Sequence, residues 1–498
     1  MPSPNRWVVL LIVSTALLLI CIDVTVLYTA LPRLTHDLGA TNAEKLWIVN
    51  AYPLVMAGLL MSTGTLGDKI GHRLIFLAGL VVFGIASVVA AYSPTPSILI
   101  AARALLAVGA SMMMPATLSI IRITFTDDRE RGLAIGVWAA VASGGAAFGP
   151  VLGGILLEFF WWGSVFLINV PVVLLALILT PRLVPKIAGN PQRTWKFSGA
   201  IIVMIGLVGV IYAIKETSKV DPSMLIAITS GMIGAAFLFW FVRSQRLMDE
   251  PMVDFSLFPN PLFRGGALAA MVSMLAMIGV LLILTQRLQL VGGMSPLQAA
   301  FALMPLSFAS LVIGPIAGLL SNNIGNARVI WIGLFVTAAG LVGLAFTYEA
   351  GFMMQFLPMV AIGLGLGGTM TGASGAIMLS APPEKAGMAA SIEEVSYEFG
   401  STIGVALIGS ILSLFYTRAF VLPDGVEAPM AARDSIDQAL IAAELLTPTG
   451  AEQLMTIARD AFDQGFVASL WTAATLVFIA AAYIAFSTRQ QPKLTGSH

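Results

Sequence analysis

Ala389-Ala-Ser391-Ile-Glu393-Glu394-Val-Ser396-Tyr397-Glu398-Phe-Gly400-Ser401-Thr402-Ile-Gly404-Val-Ala-Leu-Ile-Gly409-Ser-Ile-Leu-Ser-Leu414 is the stretch that sets the class of this chain. It contains no Lys, Arg, Asp or Pro, and as a helix it is long enough to cross a bilayer. Near its start stand three carboxyl groups. An ionisable group inside a membrane costs at least about 2.5 kcal/mol, so three on one span persist only where they are paired or put to use. Glu394 and Glu398 are four residues apart and share a helix face; Glu393 sits about 100° round, on a neighbouring face. Ser391, Ser396, Tyr397, Ser401 and Thr402 extend a polar stripe. Gly400, Gly404 and Gly409 permit close helix contact. At the helix start, Glu393 and Glu394 would also suit the positive end of the dipole, an ordinary structural role. That role does not extend to Glu398, about 14 Å into the span.

Composition agrees with a polytopic membrane protein. The 498 residues are 58% hydrophobic and 10% charged, against roughly 25% charged in a soluble domain. Fourteen apolar windows of about 20 residues fall near 8–30, 47–66, 74–92, 97–121, 133–157, 165–183, 198–214, 223–242, 263–285, 296–320, 329–347, 352–380, 389–416 and 466–487. Both termini therefore lie on one side. With the N-terminus inside, seventeen Lys and Arg fall on inner segments and eight on outer ones, which predicts cytoplasmic termini. The zero net charge argues against a nucleic-acid partner. Cys21 is the only cysteine, which excludes an internal disulfide or thiol pair. The first apolar run is too long for a cleaved leader and has no Ala-x-Ala site. Gly363-Leu-Gly-Leu-Gly-Gly368 follows no strand and precedes no Lys-Ser/Thr, so it reads as helix packing rather than a phosphate loop. The expectation is a non-enzyme, without cofactor or metal, that draws its energy from an ion gradient or the solute's own gradient. Residues 417–465 form the one long soluble segment. They read as two outer amphipathic helices, over 431–444 and 450–463, joined near Thr447-Pro448-Thr449, either a lid over the outer mouth or a decorated loop.

An internal repeat supports two related halves. Gly64-Thr-Leu-Gly-Asp68-Lys-Ile-Gly71-His-Arg73 is echoed by Gly318-Leu-Leu-Ser-Asn322-Asn-Ile-Gly325-Asn-Ala-Arg328, with Asn322 in the place of Asp68, as in alternating-access transporters. The first copy resembles the Gly-x-Leu-Ala-Asp-x-x-Gly-Arg-Arg/Lys loop of the major facilitator superfamily, with Gly67 and His72 as departures. It reads as an inner gate latch in which Arg131 is a candidate partner for Asp68. Arg103, in Leu99-Ile-Ala-Ala-Arg103-Ala-Leu-Leu106-Ala107-Val-Gly109, resembles the family's fourth-helix arginine, though Leu106 and Ala107 depart from it. An intramembrane Arg stays charged and needs a partner. Arg103 lies about 9 Å in from one side and Asp23 about 22 Å in from the other, so the two share a depth and are expected to interact. Gly145-Ala-Ala-Phe148-Gly149-Pro150-Val-Leu-Gly153-Gly154 matches the antiporter motif Gly-x-x-x-Gly-Pro-x-x-Gly-Gly, which favours export over symport. Physically it is a smooth glycine ridge with a proline bend.

Leu17-Leu-Leu-Ile-Cys-Ile-Asp23-Val-Thr25-Val-Leu-Tyr28-Thr29-Ala-Leu-Pro32, Trp47-Ile-Val-Asn-Ala-Tyr52 and Phe166-Leu-Ile-Asn-Val-Pro171 together resemble the 14-helix drug:proton antiporter branch, and within it the methyl viologen and quaternary ammonium exporters (SmvA/QacA-like). The resemblance covers nearly the whole chain. It implies an all-α major facilitator fold, with two six-helix bundles (1–184 and 248–488), two extra central transmembrane helices (185–247) and a cytoplasmic tail (489–498). It also implies a bacterial inner-membrane location, and protons and small organic cations such as dyes and cationic antiseptics as partners, with possible hand-over to periplasmic or outer-membrane export routes. Asp23, Arg103, Glu393, Glu394 and Glu398 are the expected coupling residues. A carboxyl in apolar surroundings holds a proton more readily, so proton and cation compete for one negative site. Trp47, Tyr52, Met56, Met113 and Phe148 are expected to grip a flat cation beside Asp23, Glu394 and Glu398. Export of a natural metabolite, with drugs as passengers, is the other reading that the residues allow.

Overall fold

The computed structural model describes residues 6–186, 189–190, 197–217, 222–248, 251, 253–382, 385–422 and 429–488. The expected tail 489–498 lies outside them. Among the described residues there is no strand. The helices are α1 (Arg6–Asp37), α2 (Asn42–Ile70), α3 (His72–Ala91), α4 (Pro96–Thr124), α5 (Asp128–Phe159), α6 (Ser164–Leu167), α7 (Asn169–Leu183), α8 (Ser198–Glu216) and α9 (Met224–Arg246). They continue with α10 (Pro261–Gln286), α11 (Pro296–Ile324), α12 (Asn326–Thr347), α13 (Phe352–Ser380), α14 (Ala386–Ala419), α15 (Ile436–Ala443) and α16 (Pro448–Thr488). Thirteen spans among the described residues are long and apolar enough to cross a membrane. The expected fifth span is α5, 32 residues long, with an apolar described part at Phe148–Phe159.

The boundaries follow from local chemistry. Thr41 caps α2 in a capping box: its hydroxyl accepts from the Glu44 amide, and the Glu44 carboxylate accepts from the Thr41 amide at 3.0 Å. Thr95 caps α4 ahead of Pro96, and Ser435 caps α15. The sequence repeat is also a backbone repeat. Gly71 (φ 99°) separates α2 from α3, and Gly325 (φ 86°) separates α11 from α12. Each donates its amide back into the helix it ends, to Gly67 and Ser321 respectively, both at 2.9 Å. At these angles a side chain would be strained, so glycine stands at both positions.

One expectation changes. The outer pair of amphipathic helices is unequal: α15 has only eight residues, and the second helix runs on into the last span as the 41-residue α16. No proline interrupts Ala451–Thr488, and Asp463, midway along, is fixed by Arg287 (2.8 and 3.1 Å), so the helix has no reason to stop.

By contact density the chain forms two compact units, and the division cuts α9, α10, α11, α14 and α16. The first comprises Met1–Arg243, Leu281–Ala302 and Val405–Ala468. In it α1 lies along α5, and α4 along α2 and α3. Membrane helices lack a hydrophobic drive toward one another and associate through close packing, for which glycine serves. Gly149 and Gly153 face Thr25 and Val26 of α1, and Gly79 and Gly109 bring α3 onto α4. α8 packs on α2, with Gly58 against Met204. The second unit comprises Ser244–Val280, Leu303–Gly404 and Ser469–His498. There Gly333 and Gly365 join α12 to α13, as Gly79 and Gly109 join α3 to α4. Gly400 and Gly404 rest on the backbone of Met271 and Leu275 in α10.

A polar tie also holds the second unit outside its spans. Lys385 donates to Asp254 at 2.6 Å, and Asp254 caps a short turn through the Ser256 amide. The Lys385 ammonium, with Ser256, pulls the Asp254 carboxyl down to about 2. The bridge therefore stabilises above the ordinary carboxyl range near 4 and is lost as pH falls through about 2. Lys385 is half-exposed, so Lys385→Met should cost at most about 1 kcal/mol at neutral pH. Melting curves of detergent-solubilised protein should show that gap closing below pH 4; a gap independent of pH would show that the pair does not titrate as a bridge.

Candidate transport site

In the first unit the site is built on α1 and α4. Arg103 donates to Asp23 at 2.5 Å, and both are fully buried. The pairing expected from their depths is present. Two further groups hold it. Asn169, the first residue of α7, reaches Asp23 at 3.5 Å and the Ser87 hydroxyl at 3.2 Å. The Tyr52 ring lies 4.7 Å from the Arg103 guanidinium carbon, a cation–π distance. Thus α1, α2, α3, α4 and α7 converge on one buried ion pair. A buried pair is a poor stability device, since desolvation of both charges offsets their attraction.

The second unit carries the three carboxylates of α14. Glu393 is buried; it accepts from the Tyr397 hydroxyl at 3.0 Å and from Ser374 of α13 at 3.3 Å. Glu394 and Glu398 are half-buried. Helix geometry separates the three. Glu393 is seven residues from Gly400 and shares its face, the one that packs on α10. Glu398 lies about 200° from Gly400 and about 20° from Gly409, eleven residues on, where α14 takes Leu46 of α2. Glu393 is therefore tied into its own unit, and Glu394 and Glu398 lie on a different face.

The other expected site residues are placed as follows. Lys215 of α8 stands 4.1 Å from the Trp47 ring centroid, so Trp47 and Tyr52 each already hold an internal cation. Met56 and Met113 are buried, Met113 against Gly79, and Phe148 is exposed on α5. In the loop motif a methyl group added at Gly64 would meet the Pro115 Cβ at 3.6 Å, and Asp68 is 3.2 Å from His72 one turn on. Arg73 donates to the carbonyls of Pro181 (2.7 Å) and Val184 (3.1 Å), and Asn190 donates to the Asp68 carbonyl. His72, a departure from the family pattern, thus faces Asp68 from the first turn of α3. In the antiporter motif Gly145, Gly149 and Gly153 face Cys21, Thr25 and Val26; Pro150 is buried, and Gly154 meets Leu297 of α11. Sequence reading missed Asn169, Tyr397 and Ser374 as partners of the carboxylates, and Ser87 as the hydroxyl that Asn169 also reaches. Asn169 lies inside the quoted Phe-Leu-Ile-Asn-Val-Pro motif, which was its only signal.

Comparison with known proteins bears on the family and the fold. The Major Facilitator Superfamily profile matches residues 13–291 and 262–426. The chain is 40% identical over 486 residues to the methyl viologen resistance protein SmvA of Salmonella typhimurium, covering 97% of this chain and 98% of that one. It is 36% identical over 494 residues to the multidrug efflux pump LfrA of Mycolicibacterium smegmatis, covering 98% and 97%. Among solved structures, a bacterial homolog of the human lysosomal transporter Spinster, in an inward-facing and unoccupied conformation, superposes with a TM-score of 0.70 at 18% identity, over 98% of this chain and 99% of that one. The glycine-marked repeat, the helical spans and these matches together make the chain a multi-pass membrane protein of the major facilitator superfamily of transporters.

Proposed function

We propose that this transporter is a proton-coupled antiporter that exports lipophilic cations, with its termini in the cytoplasm of a bacterial cell and the bundle division 1–184, 185–247 and 248–488. The relatives named for methyl viologen resistance and multidrug efflux support the substrate class. The observation that carries the coupling is the split of carboxylates into two kinds. Asp23 and Glu393 are held by hydrogen bonds, while Glu394 and Glu398 lie on another face of α14, half-buried. In this reading Glu394 and Glu398 exchange proton for cation. An approaching cation favours the ionised carboxyl and expels the proton; reprotonation from the other side removes the charge that held the cation. Asp23 and Arg103 lock the helices that must move together, and no cofactor enters the cycle. The proton gradient drives export, and lipid surrounds the spans.

The test is ethidium efflux from pump-deficient cells across pH. Glu398→Gln and Glu394→Gln should each slow extrusion at least about tenfold with expression retained, the equivalent of 1.4 kcal/mol. An uncoupler should stop export by the parent. Undiminished pH-driven export in both variants rejects the coupling; export that survives the uncoupler rejects the proton.

A further inference from the structure

At the end of the first unit that holds the α1–α2 junction, a second buried ion pair lies outside the coupling site. Lys45, in the first turn of α2, donates to Asp437, in the first turn of α15, and also to Gln286 of α10 at 2.8 Å. Thr35 of α1 donates to the other Asp437 oxygen at 3.1 Å. Lys45 is 3% exposed and Asp437 2%. Around the pair the contacts run between the same partners. The Asn42 side chain donates to Ser413 of α14 at 2.9 Å, and Gln438 of α15 donates to the Ala40 carbonyl at 2.9 Å. The loop after α14 is thus a strap fastened across the ends of α1 and α2.

A loop that only decorated the surface would leave Lys45 and Asp437 in water, where ions are cheapest. Burying them costs desolvation that their attraction barely offsets, and that cost is recovered only while the geometry is intact. Such a pair has two states and little between them, joined or apart, which suits a switch better than a rivet. Alternating access demands such a switch, because elements joined at one mouth must part once per cycle.

We infer that Lys45 and Asp437, with Gln286, are the pin of the outer gate: joined here, they separate each time substrate is released. This rests on the transport reading and on this end facing outward. The pin is not a coupling residue; it acts by holding α15 and α10 against α1 and α2.

The experiment uses the full chain in a Cys21→Ser background, with Lys45→Cys and Asp437→Cys joined by a short bis-methanethiosulfonate. Ethidium export should fall at least about tenfold on cross-linking and return with reductant, as for a step that the link forbids. The same reagent on Thr417→Cys/Arg433→Cys, which ties the strap only to α14, should leave export unchanged. Export by the linked Lys45–Asp437 variant at its unlinked rate overturns the inference. If the unlinked double variant is inactive, a second readout decides. Gln286→Cys should react with an impermeant maleimide from outside at least about tenfold faster in Asp437→Asn than with Asp437 intact, and equal labelling overturns the gate. Failure of the Cys21→Ser parent to export ethidium would count against the transport reading alone, since the labelling arm reads the gate without transport.

Discussion

Replacing Asp23 with Asn is expected to destabilise the protein by about 3–5 kcal/mol and to abolish export, because it leaves the Arg103 guanidinium buried without its counter-charge. Tyr52 offers only a ring face, and Asn169 turns its amide donors toward Asp23, so neither replaces the carboxylate. The partner experiment separates charge from shape. Asp23→Asn/Arg103→Gln removes both charges and should recover most of the lost stability, since a neutral pair has no uncompensated ion. Export should stay absent in the double variant if the pair also serves the cycle. Thermal melting in detergent reads the first effect and dye efflux the second. A single variant as stable as the parent would show that Arg103 has another counter-charge.

The second large effect is expected at Gly149. A methyl group there would overlap the Thr25 hydroxyl, with the Thr25 Cβ only 3.0 Å away and the Ile22 carbonyl 3.4 Å away. Overpacking of this kind costs about 1–3 kcal/mol for small changes. Gly149→Leu should exceed that range, because the clash falls on α1 two residues from Asp23. Gly149→Ala should be rescued by Thr25→Ala, since the tightest contact is the hydroxyl. Melting temperature and efflux should recover together in that double variant. If Gly149→Ala alone melts with the parent, α1 and α5 are looser than the ridge requires.

Glu398 illustrates what periodicity can and cannot deliver. Its place inside an apolar run and its face shared with Glu394 are properties of one helix, set by 3.6 residues per turn, and are legible from sequence. That Glu393 belongs to a different environment is not, because its partner Ser374 comes from α13 and only packing brings that hydroxyl to it. Trp47 is a second case: its aromatic ring is legible in the sequence, but that Lys215 of α8 stands over it is not. Lys45 counts as an outer charge in an orientation argument, where its number matters and its environment does not; in the fold it is buried against Asp437.

The membrane class, the helical spans, the duplicated glycine loop and the glycine ridge of α5 can all be read from the order of residues. Each of these depends on composition or on spacing along one helix, in a solvent that forces every backbone group to bond within its own segment. Tertiary structure alone decided which carboxylates are tethered, which aromatic rings are already taken and what the strap after α14 grips. Those facts depend on side chains from different helices, from 19 positions apart at Glu393 and Ser374 to 392 at Lys45 and Asp437, whose meeting is set by how whole helices pack rather than by any local pattern.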